Sequence, residues 1–282
     1  MFKLQYENAR GEGVELYGRP YQLSIVEGLG EVEAEIQSQR APYQDGDTLI
    51  DVILQPRHMT IELKIHGKDA AETESNRRKF ASVFNPKLGL GILKYVRDGE
   101  VRIIKVVAES VPSFPDGTTN RQTTFQKALL YLKAPNPYWR STSITEEPAF
   151  EPLFEFPFEG EFEMGMQRDQ RIIFNDGDAP APLQIEFFGP ALNPKIINNT
   201  TGEFIRIKQE LHEGERMMID TTDSSVFFIN VDGEARNVFP WIDLNTTFFK
   251  LGIGENDIEY TADSDIQGTI VNISYSKLFT AV

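Results

Sequence analysis

Cysteine is absent from this chain of 282 residues, and histidine occurs only three times. Without cysteine the chain cannot form a disulfide framework, a thiolate metal site or a cysteine nucleophile. His58 and His66 are eight residues apart, which separates them by about 26 Å if one strand carries both. They therefore cannot share a metal ion or a proton relay, and we expect His58, His66 and His212 to be ordinary polar residues.

Long hydrophobic runs and clustered positive charge are also missing. No window approaches the roughly 18 apolar residues of a membrane-spanning helix, and the start of the chain lacks the pattern of a signal peptide. The net charge is -15, whereas binding to the phosphates of nucleic acid needs clustered lysine and arginine. The sequence therefore predicts a soluble protein made in the cytoplasm, with no membrane insertion and no specific nucleic-acid binding.

The negative charge is confined to the second half of the chain. Residues 1–138 contain 18 Lys+Arg and 18 Asp+Glu, whereas residues 139–282 contain 10 and 25. Between them lie residues 132–140, LKAPNPYWR, in which Pro135 and Pro137 donate no backbone N–H and interrupt strand pairing. We predict two domains, residues 1–138 and 139–282, joined by an extended hinge with aromatic anchors.

The first half has the pattern of a sheet covered by one helix. Residues 59–66 alternate apolar and polar side chains, so one face of this strand should be buried. Residues 31–38 alternate in the same way and are predicted to form a half-buried strand. Residues 70–84 are predicted to be helical, because Asp69 can cap the first turn and Pro86 follows the last.

Beyond residue 139 the pattern is purely β. Phenylalanine alternates with glutamate and proline in residues 154–164, which predicts a further strand region. Many short strands without a helix are typical of a jelly-roll-like β-sandwich. The strands that follow are predicted at residues 171–174, 182–188, 195–198, 203–208, 215–219, 225–231, 248–251, 257–261 and 268–275.

The binding motifs of the sequence are incomplete. Residues 175–178, NDGD, could begin a calcium loop, but the later ligands of an EF-hand are missing, so a turn is favoured. The glycine pairs of residues 89–91 and 252–254 lack the third glycine of a dinucleotide site. We therefore predict no cofactor and no metal-binding residue.

Acidic pairs in the second half leave one enzymatic hypothesis open. Glu159 with Glu161, or Asp220 with Asp223, could serve a glycoside hydrolase, but spacing in a sequence does not establish the distance between two facing carboxylates. An acidic solvated surface is the favoured interpretation. We predict no catalytic residue and no enzymatic activity.

Phe239 and Trp241 flank a proline in a predicted loop of the sandwich. Sugar rings stack on aromatic side chains in such places, although packing against the core or a neighbouring subunit is the simpler interpretation, because aromatic residues dominate cores and interfaces alike. We retain both residues as candidate contacts to a sugar or a partner.

Several stretches, taken in order, resemble one known family. In the first half these are the helix end VFNP (residues 83–86), the predicted hairpin around Asp98 and Gly99, and the strand that runs into APNPYW. In the second half they are FNDGDAPAP (174–182), FGPALNPKIINNTTGE (188–203) and ISYSKLF (273–279). Their order and spacing resemble the distal tail proteins (Dit) of long-tailed siphophages and related prophages over essentially the full chain.

The resemblance implies a mainly β fold with one helix. It implies an N-terminal α+β ring-forming domain, which is a β-sandwich with a helix and a hairpin, followed by a C-terminal galectin-like sandwich. It also implies a structural hub at the virion tail tip, where a homo-hexameric ring joins the tail tube protein to the tail-associated lysin or fibre protein. The adhesion apparatus with its receptor-binding protein would be a further partner, and DNA would cross the ring lumen without being bound.

Two functional hypotheses follow. The first is the structural hub, and the alternative is an adhesion module that binds host cell-wall polysaccharide through the C-terminal sandwich, with Phe239 and Trp241 as contacts. For the hub, the helix face and the Asp98-Gly99 hairpin are the expected ring contacts. The expected interface residues are Arg77, Arg78, Phe84, Tyr95 and Arg97.

Overall fold

The structure is a computed structural model that describes residues 2–146, 169–263 and 271–282. The chain forms two compact units, one of Met1–Thr142 with Phe279–Val282 and the other of Ser143–Leu278. The predicted domain boundary after residue 138 stays a prediction. The residues that follow it, Trp139–Ser141, still pair with the sheet of the first unit.

The first unit is built from one large antiparallel sheet, a separate hairpin and a helix. Its elements in chain order are β1 (Lys3–Glu7), β2 (Gly13–Glu15), β3 (Tyr21–Glu27), β4 (Ala34–Gln39), β5 (Thr48–Leu54), β6 (Arg57–His66), α1 (Ala70–Val83), a short 3-10 turn (Pro86–Leu88), β7 (Gly91–Arg97), β8 (Glu100–Ala108), β9 (Phe125–Ala134) and β10 (Trp139–Ser141). The strand order of the sheet is β2-β1-β7-β8-β9-β6-β3, with β10 paired to β8.

The strand predicted at residues 59–66 lies within this sheet as part of β6, between β9 and the edge strand β3. In β6, Ile61 and Leu63 are fully buried and lie opposite Leu130 and Ala128 of β9, which are also fully buried. The period-2 pattern thus places one face of the strand in the core, where burying each large aliphatic side chain stabilises the fold by about 1.5–3 kcal/mol.

Helix α1 covers this sheet, packing on β6 and β9. The Asp69 side chain accepts a hydrogen bond from the Glu72 backbone N–H (2.8 Å), and the Glu72 carboxylate accepts one from the Lys68 N–H (2.8 Å). Asp69 is thus the N-cap that the sequence predicts, and with Glu72 it forms a variant of the capping box. Phe80 and Val83, on one side of the helix, are buried in the core.

The hairpin predicted around Asp98 and Gly99 is formed by β7 and β8. Asp98 has a φ of 52° and Gly99 a φ of 90°, as a two-residue type I′ turn requires at both central positions.

The prediction of a half-buried strand at residues 31–38 is wrong. Strand β4 begins at Ala34, is exposed along its whole length and, among the described residues, pairs only with β5. Together they form a two-stranded hairpin, residues 34–54, which we call the exposed hairpin. Alternation in a sequence predicts a strand, but it does not show that another layer will cover the apolar face.

The described residues of the second unit form two larger antiparallel sheets and one two-stranded antiparallel pair. Its elements are β11 (Ile144–Glu146), β12 (Asp169–Asn175), β13 (Leu183–Phe188), β14 (Ala191–Leu192), β15 (Lys195–Asn198), β16 (Glu203–Arg206), β17 (Glu210–Leu211), β18 (Arg216–Asp220), β19 (Ser225–Ile229), β20 (Ala235–Asn237), a 3-10 turn (Phe239–Trp241), β21 (Gly254–Thr261) and β22 (Val271–Tyr275); β23 (Leu278–Phe279) follows. Strand β14 pairs with β17, and the orders of the two larger sheets are β11-β22-β13-β18-β19-β20 and β12-β21-β15-β16.

These two sheets share one hydrophobic core. Phe187 and Ile219 of the first sheet belong to the same buried cluster as Ile196, Ile205 and Tyr260 of the second. Side chains from two sheets that meet in one core define a β-sandwich. The predicted fold class, mainly β with one helix, is confirmed by the described part of the chain.

Several details differ from the sequence prediction. Residues 248–251 form no strand, and Leu251 only bridges Ala181. Strand β1 was not predicted, although its Leu4 and Tyr6 are buried. The strand region predicted at residues 154–164 lies outside the described residues, as do the first residues of the strand predicted at 268–275. No helix in the described part of the chain is long and apolar enough to cross a membrane.

Candidate interaction surfaces

The exposed hairpin has one apolar face. Ile36 of β4 lies directly opposite Val52 of β5, and their side chains are 67% and 47% exposed. A bulge makes Ile50 the extra residue of its strand, and Ile50 is 63% exposed. The opposite face carries polar residues such as Gln37, which lies opposite Asp51, together with Ile53, which lies opposite Glu35 and is 44% exposed. An exposed cluster of aliphatic side chains on one face of a ribbon is a candidate protein-binding surface.

The tip of the exposed hairpin is held in a defined shape by its own hydrogen bonds. The Gln44 side chain accepts from the Ala41 N–H (3.0 Å), and the Gln44 carbonyl accepts from the Arg40 guanidinium (3.0 Å). Ser38 bonds to Asp47 behind the loop. Tyr43 projects from this tip fully exposed. A rigid loop with an exposed tyrosine is a typical contact element, because tyrosine offers a large surface at low entropic cost.

Arg57 lies at the base of the exposed hairpin and is buried. No pattern in the sequence predicted a role for it. The side chain of Arg57 is only 1% exposed, and its guanidinium donates hydrogen bonds to the carbonyls of Gly28, Leu29, Glu31, Pro137 and Thr280. Burial lowers the pKa of Arg57 from its ordinary value, and the Glu31 carboxylate partly offsets this shift. Arginine nevertheless remains charged in proteins.

The two predicted interface arginines of the helix differ in accessibility. Arg77 contacts Glu74 (3.2 Å), and its guanidinium lies over the Phe114 ring at 4.8 Å from the centroid. Arg78 contacts the same Glu74 at 3.4 Å, but its side chain is 80% exposed. Arg77 is therefore held within its own unit, and Arg78 offers its charge to solvent.

Two other predicted interface residues lie in the core. Phe84 is fully buried and stacks on Tyr6, with ring centroids 4.3 Å apart. Tyr95 is buried between Phe2 and Trp139, at 5.2 and 6.2 Å between ring centroids. Both rings are therefore packed within the first unit, and the interface role predicted for Phe84 and Tyr95 stays a prediction.

The remaining interface candidate, Arg97, lies at the end of the β7–β8 hairpin. Its side chain is 62% exposed and contacts Asp98 at 3.4 Å. A hydrogen bond with Tyr95 and the charge of Asp98 raise its pKa. Arg97 and Arg78 are thus the predicted residues whose charged groups are accessible in the first unit.

The aromatic candidates of the second unit also differ from one another. Phe239 is half exposed and stacks on Phe248, with centroids 6.2 Å apart and nearly parallel rings. Trp241 packs edge-on against Phe228 at 5.4 Å, and the Arg236 guanidinium lies 5.1 Å from the centroid of its ring. A flat ligand therefore has easier access to Phe239 than to Trp241.

Asp243 fixes the chain that follows these aromatic residues. It accepts a hydrogen bond from the Asn245 N–H (3.0 Å) and contacts the Lys208 ammonium (3.0 Å). These two interactions, with the charge of Arg206, lower the pKa of Asp243, while burial opposes the shift.

The residues considered above as calcium ligands or catalytic acids form turns in the described part of the chain. In residues 175–178, the buried Asn175 side chain accepts from the Gly177 N–H (3.0 Å) and closes a turn. Asp220 and Asp223 accept backbone N–H bonds between β18 and β19, whereas Glu159 and Glu161 lie outside the described residues. The described residues contain no group of three or more His, Asp or Glu side chains placed to hold a metal ion.

The predicted histidines are surface residues with separate partners. His58 contacts Glu109 (2.8 Å), and His212 contacts Glu210 (3.8 Å). His66, on the same strand as His58, hydrogen-bonds to Gln22 (3.0 Å). Positive charges on Arg19 and Lys64 add to burial in lowering the pKa of His66.

Comparisons with known proteins agree along the chain. Residues 14–130 match the family model of the phage tail protein RIFT-related domain, and residues 176–279 match that of the siphovirus-type tail component, C-terminal domain. Together these matches cover well over half of the sequence. A search of curated protein sequences found no match.

Solved structures share the fold over the whole chain. The Dit protein (gp 19.1) of phage SPP1, described as a paradigm of the hub adsorption apparatus in phages that infect Gram-positive bacteria, is 12% identical with a TM-score of 0.69, covering 99% of both chains. A chain of the phage P2 baseplate in its activated conformation with calcium is 10% identical with a TM-score of 0.61, covering all of both chains. The corresponding baseplate with strontium gives 9% and 0.59, again covering all of both chains.

Proposed function

Because the chain belongs to the siphophage distal tail protein family, we propose that it builds the hub at the tip of the phage tail as a homo-hexameric ring. The family makes it a structural component of the tail or baseplate. The proposal adds that the ring joins the tail tube protein to the tail-associated lysin or fibre protein and to the adhesion apparatus with its receptor-binding protein. It also adds that the protein acts without enzymatic activity and is made in the host cytoplasm.

The single observation that carries the ring is the exposed hairpin. Isolated two-stranded hairpins are marginally stable in water, and this one presents Ile36, Ile50 and Val52 to solvent. Burying that face on a second copy of the chain would stabilise both the hairpin and the assembly. Because the hairpin of one subunit would contact a different surface on the next, the contact is head-to-tail, and such contacts close into rings when the rotation allows it.

The charge of the two halves is compatible with this arrangement. Residues 1–138 carry equal numbers of positive and negative side chains, so copies of the first unit can approach without strong mutual repulsion. Residues 139–282 carry the entire net charge of -15, which disfavours association among copies of the second unit. DNA would cross the lumen of the ring without being bound.

Absolute mass tests the proposal. Light scattering over a concentration series, with and without added tail tube protein, should show a six-subunit species, and negative-stain images of that species should show a ring with an open lumen. Because assembly follows mass action, dilution should shift the mass toward the monomer. A monomer at every concentration, even with tube protein present, would contradict the ring.

A second candidate function is recognition of host cell-wall polysaccharide by the second unit. The specific observation in its favour is the half-exposed Phe239 ring, which is held flat by stacking on Phe248 and could support a sugar ring. Saturable binding to purified cell walls that is lost in Phe239→Ala would support this function. Equal binding by the wild type and Phe239→Ala would show that Phe239 does not contact the polysaccharide. Absence of binding by the wild type would contradict this function.

A further inference from the structure

Arg57 connects three segments that are far apart in the sequence. Its Nη1 group donates to Gly28 (3.0 Å), Leu29 (3.0 Å) and Glu31 (2.8 Å), which directly precede the exposed hairpin. Its Nε–H donates to Pro137 (3.0 Å) in the proline-rich stretch. Its Nη2 group donates to the carbonyl of Thr280, near the end of the chain.

The acceptors of this guanidinium are main-chain carbonyls. Among the residues that the structure describes, no carboxylate lies within ion-pair distance of Arg57. A buried charge without these carbonyls would be unsatisfied and costly. The three segments are therefore coupled, because their carbonyls bind the same guanidinium. Losing the carbonyl of one segment leaves the cation less well solvated and weakens its binding of the other two segments.

Arg57 follows the exposed hairpin in the chain, so its hydrogen bonds act at the base of that hairpin. Strand β5 of the exposed hairpin ends at Leu54, and Arg57 begins β6. The Gln55 N–H donates to the Glu33 carbonyl (2.8 Å), closing the base of the hairpin. The Trp139 indole N–H donates to the Leu29 carbonyl (3.0 Å), which Arg57 also contacts. The base of the hairpin thus shares its anchor with Thr280.

We infer that Arg57 is a positioning residue that makes the ordering of the exposed hairpin depend on docking of the segment that contains Thr280. With Thr280 docked, the guanidinium fixes residues 28–31 and the hairpin leaves the sheet in one direction. With Thr280 withdrawn, Nη2 loses that acceptor and the base of the hairpin loosens. Resting on the proposed function, this inference implies that ring assembly is regulated from the C-terminal residues.

Truncation tests the contribution of Thr280. A chain that ends after Ala281 keeps the Thr280 carbonyl, and a chain that ends after Phe279 lacks it, so the two form a matched pair. Amide hydrogen exchange at Gln55 and along β4 and β5 should be about ten- to a hundredfold faster in the shorter chain, the effect of losing a hydrogen bond to a charged group. Exchange in β7 and β8 should stay unchanged. Equal protection of Gln55 in both chains would overturn the inference.

A second test replaces Arg57 itself. Arg57→Lys keeps a positive charge but offers a single ammonium in place of a planar fork, so it should also speed exchange at Gln55. The control Arg121→Met removes an arginine that contacts Asp116 on the surface and should leave that exchange unchanged. Protection in Arg57→Lys equal to the wild type would contradict the positioning role.

Exchange is measured in chains that also carry Ile36→Lys and Val52→Glu, whose hairpin face cannot bind a neighbour. The exchange measurement therefore tests the role of Arg57 whether or not the wild type forms a ring. If the wild type forms a ring, the mass of the chain ending after Phe279 should fall toward the monomer, whereas the chain ending after Ala281 should assemble. A ring formed equally well by both chains would refute the regulatory part of the inference.

Discussion

Ile36 and Val52 lie opposite each other on the two strands of the exposed hairpin, and both side chains face solvent. A cross-strand apolar pair usually stabilises a sheet by packing against a further layer. In this chain no other strand of the described residues pairs with the hairpin. The pair is therefore the most direct place to test whether a second copy supplies the missing layer.

Replacing Ile36 by Lys and Val52 by Glu should abolish ring assembly without unfolding the monomer. Opposite charges directly across the two strands maintain pairing within the hairpin, while two charges replace the central apolar pair beside Ile50. Light scattering should report the monomer, and the free energy of unfolding should change by no more than about 0.5 kcal/mol, as is usual for surface substitutions.

The matched control for this double substitution lies on the opposite face of the hairpin. Gln37→Lys places a positive charge opposite Asp51 and leaves the apolar face intact, so assembly should persist. If the double variant still forms the ring, or if Gln37→Lys disrupts it equally, the apolar face is not the contact surface.

Phe84→Ala should lower the stability of the first unit and thereby show that this residue belongs to the core. The ring is fully buried against Tyr6 and Phe80, so its removal should cost about 3–5 kcal/mol. Urea unfolding measures this change. Arg78→Ala, on the exposed side of the same helix, should leave stability within about 0.5 kcal/mol. An unchanged urea midpoint for Phe84→Ala would contradict the core assignment.

The sequence predicted the elements of the first unit better than their surroundings. The alternation in residues 59–66 and the Asp98-Gly99 turn were sufficient, because strand period and turn geometry are local properties. The same alternation in residues 31–38 does not reveal whether a neighbouring layer exists. Phe84 and Tyr95 were expected at a subunit interface and are buried in the core of the first unit, and a sequence does not separate these two environments because both favour aromatic side chains.

Arg57 shows a different limit of the sequence. Its acceptors are backbone carbonyls, which every residue possesses, and the farthest is at Thr280. No motif can indicate such a site, because the side chains of the surrounding residues do not define it. The mainly β fold class, the single helix and the family were predictable, whereas a site built from main-chain atoms becomes visible only in three dimensions.

Trp241→Ala and Phe239→Ala should affect the second unit differently. Trp241 packs against Phe228 and Arg236, so its removal should cost on the order of 2 kcal/mol or more. Phe239 is half exposed, and its removal should cost less. Thermal unfolding of both variants measures the difference. Equal stability losses would contradict it, and any polysaccharide binding should be tested with Phe239→Ala, whose fold is less disturbed.

The contribution of Asp243 to stability should disappear in acid. The Asn245 N–H and Lys208 hold its folded-state pKa below the ordinary value of 3.8, so the folded protein binds this proton more weakly than the unfolded chain. The resulting stabilisation is fully present above the unfolded-state pKa and is lost as the pH falls through the folded-state pKa. Calorimetry of Asp243→Asn should show a lower melting temperature than the wild type near pH 7, and the difference should shrink below about pH 4. Asp232→Asn, in an exposed turn, serves as the control and should melt like the wild type at both pH values. If the melting temperature of Asp243→Asn stays equally far below that of the wild type in acid, Asp243 does not stabilise the loop through its charge.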